Sequence, residues 1–189
     1  MGKLRHSTAA AGLGAGLLAL LLAFDAAGAA LPAPLQDPAL GLRPVGSASL
    51  YWFGLHVYDI ALYAQPAPDA TNSAAALSIH YRISIKHRRL LDTTLKEWRR
   101  LGLGDEAQRA QWLKQLEPLW PDLKPGDRLT AFRRSRGPTQ FYFGDRLLGE
   151  VADPAFGPAF FAIWLDPRCR YPNVREGLLG TNKNPEKGR

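Results

Sequence analysis

The stretch "RLTAFRRSRGPTQFYFGDRLLGEV" (residues 128–151) decides the fold class of this chain. It contains three short runs with apolar and aromatic residues, separated by the turn-forming dipeptides Gly137-Pro138 and Gly144-Asp145. Connections this short join neighbouring antiparallel strands. The stretch therefore predicts a three-stranded meander. Its strands would cover residues 128–134, 139–143 and 146–151.

Two further strand patterns lie upstream of the meander. Residues 47–63 are rich in aromatic and β-branched side chains, and Gly54 in their middle marks a turn or a bulge. Residues 77–83 alternate between an apolar side and a polar side that carries Ser78, His80 and Arg82. This alternation predicts a half-buried strand whose polar side faces either water or a ligand.

Helical periodicity replaces strand alternation after residue 84. Leu91, Leu95 and Trp98 recur at helical spacing, and Gly102 ends the pattern. Three further helices are predicted over residues 105–119, 153–166 and 173–179. Since strands and helices are segregated along the chain, the sequence predicts an α+β fold in which helices pack on one face of an antiparallel sheet.

Composition describes one ordinary globular domain and excludes several kinds of site. The chain has 189 residues and a formal charge of +7. Cys169 is the only cysteine, which excludes an intrachain disulfide and a cysteine-based zinc site. The four histidines show no metal-ligand spacing. No cofactor motif and no nucleic-acid-binding motif is present, so we expect no metal, no cofactor and no nucleic-acid partner.

The first residues have the pattern of a secretory signal peptide. Lys3 and Arg5 precede an uncharged apolar run over residues 9–24. Ala27 and Ala29 follow at the spacing that signal peptidase accepts. The pattern predicts a signal peptide over residues 1–29 and a periplasmic protein. The alternative is an uncleaved membrane anchor, although a bilayer span needs about 20 residues.

The rest of the chain divides into three parts by composition. Four prolines between residues 31 and 44 predict an extended lead-in over residues 30–45. The patterned elements occupy residues 46–180 and form the domain. The polar residues 181–189 predict a loose tail.

Four segments of the chain carry a resemblance to a known family. They are "VGSASLYWFGLHVYDIALYA" (45–64), "PGDRLTAFRR" (125–134), "FYFGDRLLGEVADPAFGPAFFAIWLD" (141–166) and "VREGLLG" (174–180). In this order they resemble the chalcone isomerase-like family of bacterial exported proteins. The resemblance implies an open-faced β-sandwich, in which helices pack over one face of a large antiparallel sheet and a ligand cleft lies between the layers.

The resemblance also implies where a ligand would bind. Plant enzymes of this superfamily hold an oxyanion with an arginine on the first core strand, and fatty-acid-binding relatives use that arginine for a carboxylate. Ser49 stands at that position here, and the supporting threonine falls near Tyr58. The supporting tyrosine and asparagine fall near Leu90 and Glu97. A serine brings no fixed positive charge to an oxyanion, so another cation, Arg82 or Arg43, would have to replace it.

Five residues are therefore candidate ligand contacts: Ser49, Tyr58, His80, Arg82 and Trp98. His80 and Arg82 would bind a carboxylate or phenolate, or else lie on a wet face. Tyr58 and Trp98 would line a cleft for a flat ligand, or else belong to the core. We expect a small apolar or acidic ligand that is bound without turnover. The alternative is an isomerase or intramolecular lyase acting on an unsaturated carbonyl compound.

A third hypothesis about function is based on the charge of the first predicted helix. Six cations crowd the first predicted helix: Lys86, Arg88, Arg89, Lys96, Arg99 and Arg100. Such a helix either contacts an anionic membrane or another acidic partner, or it presents a solvated face.

Overall fold

A computed structural model of the chain describes residues 30–66, 73–135 and 137–181. The predicted signal peptide and nearly all of the predicted tail lie outside these residues. Within them, six strands form one antiparallel sheet in the order in which they occur along the chain. The strands are β1 Arg43–Trp52, β2 Leu55–Ala64, β3 Ala75–Tyr81, β4 Arg128–Arg133, β5 Thr139–Phe143 and β6 Arg146–Val151.

The aromatic stretch around Gly54 is a hairpin of two strands, so its glycine marks a turn and not a bulge within one strand. Phe53 and Gly54 connect β1 to β2. Their φ angles are 47° and 78°, both in the left-handed region that a tight two-residue hairpin turn requires. The predicted meander of β4, β5 and β6 is present, and its register joins neighbouring strands directly.

Four α-helices of the described chain cover one face of the sheet. They are α1 His87–Leu101, α2 Glu106–Leu116, α3 Phe156–Leu165 and α4 Pro172–Leu178. The predicted α+β class, with helices on one face of an antiparallel sheet, is confirmed. Asp105 caps α2 by accepting a hydrogen bond from the Gln108 backbone nitrogen.

The prediction that a helix starts at Asp153 and Pro154 was wrong by two residues. α3 begins at Phe156, and its first residues have no side-chain cap. The Asp153 carboxylate instead accepts hydrogen bonds from the Ala155 backbone nitrogen and from the Trp112 indole. The carboxylate thus joins the turn before α3 to α2.

Interlocking aromatic rings fill the space between the helices and the sheet. The rings of Trp98, Trp112 and Phe156 contact one another with centroids 5.1 to 5.8 Å apart. Trp120, Phe141 and Phe160 continue this cluster toward β5. These edge-to-face arrangements are the favoured geometry for aromatic pairs. The centre of the helix–sheet interface is therefore a packed core.

The lead-in is not extended, because it folds onto the opposite face of the sheet. It forms two short 3₁₀ turns, Ala33–Leu35 and Pro38–Leu40, each with a proline at its start. Leu31 and Leu35 are buried there in a second apolar cluster with Phe132 and Tyr142. The lead-in thus covers part of the face that the helices leave open.

This second cluster also changes the environment of the polar side of β3. Ser78 is fully buried, although the alternation placed it on the polar side. Its hydroxyl donates to the Ala30 carbonyl at 3.0 Å and accepts from the Thr130 hydroxyl at 3.1 Å. Only the part of this face beyond the lead-in remains accessible, and we refer to that part as the outer face.

Candidate functional site

Tyr58 is the sequence-predicted candidate that lies between β2 and the helices. It stands opposite Tyr81 in the β2–β3 register, and their ring centroids are 6.0 Å apart. The Trp164 indole of α3 donates a hydrogen bond to the Tyr58 hydroxyl at 2.9 Å. Burial raises the pKa of both tyrosines far above the usual range. Both hydroxyls therefore stay protonated at neutral pH.

A nearly buried carboxylate lies near Tyr58. The Glu97 side chain of α1 is 9% exposed and accepts hydrogen bonds from Arg100 at 2.8 Å and Arg170 at 2.9 Å. The Arg100 guanidinium also donates to the Arg168 carbonyl. Glu97 is close enough for its charge to contribute to the raised pKa of Tyr58, after the larger effect of burial. Two guanidinium groups thus share one carboxylate beside a buried hydroxyl.

We call this group the Tyr58–Glu97 site; its members are Tyr58, Tyr81, Glu97, Arg100, Trp164 and Arg170. Its net charge is positive, because two cations meet one anion. Its tyrosines are poor bases and poor acids at neutral pH, since burial disfavours their ionised form. The arrangement suits attraction and hydrogen bonding of an anion better than proton transfer.

Ser49 and Arg82 belong to a different group, on the outer face. Asp59 accepts hydrogen bonds from the Ser49 hydroxyl at 2.5 Å, from His56 at 2.8 Å and from Arg82 at 2.7 Å. Burial alone would raise the pKa of Asp59, but these three hydrogen bonds together lower it below its ordinary value. Ser49 donates to a weakly basic carboxylate, and no Ser49–His56 hydrogen bond is found, so the group lacks the geometry of an activated nucleophile.

His80 lies on the same outer face, between Asp59 and Arg128 in the strand register. Burial lowers the pKa of His80, and the nearby Arg82 lowers it further. The imidazole is therefore neutral at pH 7. Ser49, His80 and Arg82 lie across the sheet from Tyr58, so the five candidates do not form one site.

Trp98 occupies the centre of the aromatic core. Its side chain is fully buried between Trp112 and Phe156, and its indole donates to the Ala159 carbonyl at 3.2 Å. The ring lies on the helix side of the sheet, as Tyr58 does. Because other rings already cover it, Trp98 presents no open face on which a ligand could stack.

The resemblance placed the supporting asparagine near Glu97, but the sequence did not predict that Glu97 pairs with two arginines. Thr94, Glu97, Trp98 and Leu101 are the buried residues of α1, at spacings of three, four and seven. A glutamate on the buried stripe of a helix was thus a readable signal for a paired carboxylate. Arg170 gave no such signal, because it meets Glu97 from a loop 73 positions further along the chain.

Arg133 is a second buried charge that the pattern did not single out. It lies on the helix side of β4, donates to the Ser73 carbonyl at 3.1 Å and stacks 5.4 Å from the Phe161 ring centroid. Its register partner Ala75 is six residues from Tyr81 on β3. At a strand rise of about 3.3 Å per residue, Arg133 lies about 20 Å from the Tyr58–Glu97 site and belongs to another part of the interface.

The cations of α1 divide into two groups. Three of them form ion pairs with acidic residues: Lys86 with Asp122, Arg99 with Glu106 and Arg100 with Glu97. The other three are exposed, and the part of the chain that the structure describes gives them no ion pair: Arg88, Arg89 and Lys96.

An open groove of about 480 Å³ lies between α1 and α2. Leu91 and Leu113 form part of its floor, and Arg88 and Lys114 are among its polar lining. Among residues 30–66, 73–135 and 137–181, no cluster of histidine, cysteine or acidic side chains could hold a metal ion. No described helix is long and apolar enough to cross a bilayer.

The sequence and the fold of the chain are both similar to those of known proteins. A family model described as chalcone isomerase-like matches residues 24–180. The chain belongs to the chalcone isomerase-like family. The fold that the resemblance implied, a large antiparallel sheet with helices on one face, is confirmed with this membership.

Two known proteins are similar to this chalcone isomerase-like protein, one in sequence and one in structure. An uncharacterised protein of Haemophilus influenzae is 31% identical over 144 residues, which cover 75% of this chain and 70% of the relative. The crystal structure of an Arabidopsis thaliana fatty-acid binding protein, AtFAP1, matches with a TM-score of 0.57 at 10% identity. That match covers 74% of this chain and 87% of the plant protein. At such low identity, the structural match supports the fold alone.

Proposed function

We propose that this chalcone isomerase-like protein is exported to the periplasm and binds a small apolar or acidic ligand without turnover. The observation that supports this proposal is that Arg100 and Arg170 both bind one carboxylate, Glu97, whose charge acts on the half-buried Tyr58. The ligand's acidic group would lie against the two guanidiniums. Its apolar part would enter between the helices and the sheet toward the two tyrosine rings.

Electrostatics favour an anion at this point. Glu97 balances only one of its two arginines, and the arginine side chains are 32% and 55% exposed, so both can reach a second carboxylate. Guanidinium groups bind carboxylates through paired hydrogen bonds. The neighbouring rings of Tyr58, Tyr81 and Trp164 supply the apolar wall that such pockets use to enclose the rest of a ligand.

The first core strand, β1, gives the reason to expect binding without turnover. Ala48 and Leu50 pack toward the helices, whereas the Ser49 hydroxyl is bound to Asp59 on the outer face. Loss of one donor aimed at an oxyanion costs about 3–4 kcal/mol of transition-state stabilisation. An enolate would therefore lack a fixed charge from β1. The plant neighbour is a fatty-acid binding protein, which agrees with binding of an apolar acid.

A binding experiment tests the proposal. The protein purified from its native host is analysed by native mass spectrometry, and oleate and cinnamate are then titrated into delipidated protein. We expect Arg100→Ala and Arg170→Ala each to weaken binding of the better ligand about tenfold, which corresponds to about 1.4 kcal/mol. Arg168→Ala is the matched control, because that side chain pairs with Asp166 and not with Glu97. Empty protein from the host, together with no binding of either acid, would refute ligand binding.

One further variant and two assays test the place of the site, its chemistry and export of the protein. Leu113→Trp fills the groove between α1 and α2, and loss of binding in this variant would move the site to that groove. Incubation with a hydroxychalcone, followed by its absorbance, tests the isomerase alternative. A rate above the protein-free rate would contradict binding without turnover. N-terminal sequencing of the chain recovered from a periplasmic extract tests export and cleavage after residue 29.

A contact with an anionic membrane is a second proposal, favoured by the three exposed α1 cations that have no ion pair within the described residues. Arg88→Glu combined with Arg89→Glu is expected to reduce flotation with anionic vesicles. Lys86→Glu is a comparison at a cation that Asp122 already neutralises. Equal flotation of the wild type, the double variant and Lys86→Glu would contradict a role for these arginines.

A further inference from the structure

The turn between β1 and β2 is an exposed aromatic tip. We define the hairpin tip as residues 51–55. Its apolar side chains are largely exposed: Tyr51 58%, Trp52 55%, Phe53 93% and Leu55 50%. A Cβ added at Gly54 would meet no atom within 4 Å, so the turn itself is open to solvent.

The backbone of the tip adds a second unusual feature. Phe53 has a φ angle of 47° and is the non-glycine residue with a positive φ in the described chain. Left-handed backbone is unfavourable for an aromatic residue, and two-residue hairpin turns prefer asparagine, aspartate or glycine at this position. Asparagine, aspartate or glycine at position 53 would fit the turn better and would be more soluble. The chain nevertheless carries phenylalanine there.

Nothing described within the molecule compensates for this choice. Phe53 contacts Trp52 edge-on, with centroids 5.0 Å apart, but both rings remain exposed. Tyr51 stacks on His56 at 4.6 Å and presents its other side to solvent. A locally unfavourable residue without an internal benefit indicates a function outside the fold. The benefit of Phe53 must therefore come from a surface that the tip contacts.

Cations lie at the same end of the sheet. The Arg82 backbone nitrogen bonds to the Val57 carbonyl near the start of β2, so β3 leaves the sheet at the hairpin-tip end. The following residues lead into α1, whose first turn carries the exposed Arg88 and Arg89. An exposed group of Trp, Tyr and Phe at the same end of the sheet as the start of a cationic helix matches the boundary between headgroups and acyl chains, where aromatic rings concentrate.

We propose that the hairpin tip inserts into the headgroup–acyl boundary of an anionic bilayer. Trp52, Phe53 and Leu55 enter the boundary, and Arg88 and Arg89 face the headgroups. The chain's formal charge of +7 favours an anionic surface as the occupant. A second copy of the chain would need a concave apolar pocket to receive the same tip, whereas the groove between α1 and α2 is lined by four charged side chains as well as by leucines.

A probe at the tip tests insertion directly. An environment-sensitive nitrobenzoxadiazole label is placed on the full chain at Phe53→Cys, or at Val45→Cys as the control, in a Cys169→Ala background. Val45 is exposed on the same strand but lies about 26 Å from the tip by strand rise. With phosphatidylglycerol vesicles, we expect a blue shift at position 53 and none at position 45. No shift at position 53, or an equal shift at position 45, overturns the proposal.

A substitution that improves the turn provides the second arm. Phe53→Asn suits left-handed backbone, so it should keep or raise stability while it lowers the partition coefficient onto these vesicles at least tenfold. Val45→Asn should leave partitioning unchanged. Every variant is prepared with the same N-terminus, so differences among the variants report the tip. Partitioning of Phe53→Asn at the wild-type level, or a tip-dependent dimer in lipid-free sedimentation, overturns the proposal whatever the outcome of the ligand titrations.

Discussion

Glu97 illustrates how a single side chain links stability to recognition. Its carboxylate is nearly buried on α1 and neutralises half of the charge that Arg100 and Arg170 bring to the Tyr58–Glu97 site. Stability requires this carboxylate, because hydrogen bonds to charged groups each contribute about 1.5–3 kcal/mol. The proposed acidic ligand, in contrast, would compete with Glu97 for the same two guanidiniums.

These opposite demands give a prediction at Glu97. Glu97→Gln keeps the shape of the side chain but removes its charge, so urea unfolding should show a loss of about 1–2 kcal/mol. The affinity for an acidic ligand should rise, since both arginines become available to its carboxylate. Glu106→Gln is the control, because that exposed carboxylate pairs with Arg99 and Arg109 away from the site. A lower affinity in Glu97→Gln would mean that the ligand does not use these arginines.

Asp59 gives a prediction about pH. Its folded-state pKa is lowered by hydrogen bonds from Ser49, Arg82 and His56, which outweigh burial. The stabilisation from its charged form is therefore complete above the unfolded pKa of about 3.9 and is lost as pH falls through the lowered folded pKa. The difference in unfolding free energy between the wild type and Asp59→Asn should shrink below about pH 4. Other carboxylates with a lowered pKa, such as Asp122, are common to both proteins and cancel in the difference.

At the scale of elements, the lead-in is an integral layer and not a linker. Leu35 is 2% exposed within the second apolar cluster. Leu35→Ala should lower the free energy of unfolding by about 2–4 kcal/mol, because truncation leaves a cavity against Phe132. Leu147→Ala, at a half-exposed position of β6, should change it by less than about 1 kcal/mol. Equal effects of the two variants in chemical denaturation would mean that the lead-in is detached in solution.

The close contact between α4 and β1 depends on a glycine in α4. A Cβ on Gly177 would approach the Ser47 carbonyl oxygen to 2.7 Å and the Ala48 Cβ to 2.9 Å. In a free helix, Gly177→Ala would stabilise by about 0.8–1 kcal/mol. Here the clash should reverse the sign and cost about 1–3 kcal/mol.

Thermal unfolding measures whether Gly177→Ala raises or lowers the stability of the protein, with Gly126→Ala as the comparison. Gly126 has a φ angle of 93° and open space around it, so alanine there reports backbone strain without a clash. A more stable Gly177→Ala protein would show that α4 does not lie this close to β1.

Local signals explain which elements the sequence predicts well. The meander follows from its turn dipeptides, and the cap of α2 follows from Asp105, because each depends on residues within a few positions. The covered state of Ser78 could not be inferred in the same way, since Ala30 lies 48 positions away. The same limit applied to the pairing of Glu97 with Arg170. Alternation assigns residues to a face, but only tertiary packing decides what covers that face.

At the scale of the whole molecule, the sheet separates two environments. One face carries the aromatic core and the Tyr58–Glu97 site, and the other carries the folded lead-in and the Asp59 cluster. The hairpin tip extends from the edge that both faces share. β2 joins the tip to Tyr58, which lies five residues from Phe53, or about 16 Å along an extended strand.

This short path predicts how an apolar acid would reach the protein. If the tip enters a bilayer, the Tyr58–Glu97 site lies within a few residues of the lipid surface, and a ligand dissolved in that bilayer has a short route to it. Phe53→Asn should therefore slow the initial transfer of oleate from phosphatidylglycerol vesicles several-fold. Its equilibrium affinity for soluble oleate should equal that of the wild type, because the tip contacts no ligand. Arg170→Ala should show the reverse combination, with weaker affinity and normal vesicle binding. Stopped-flow transfer and equilibrium titration measure the two quantities separately, and equal transfer rates for the wild type and Phe53→Asn would disconnect the tip from ligand uptake.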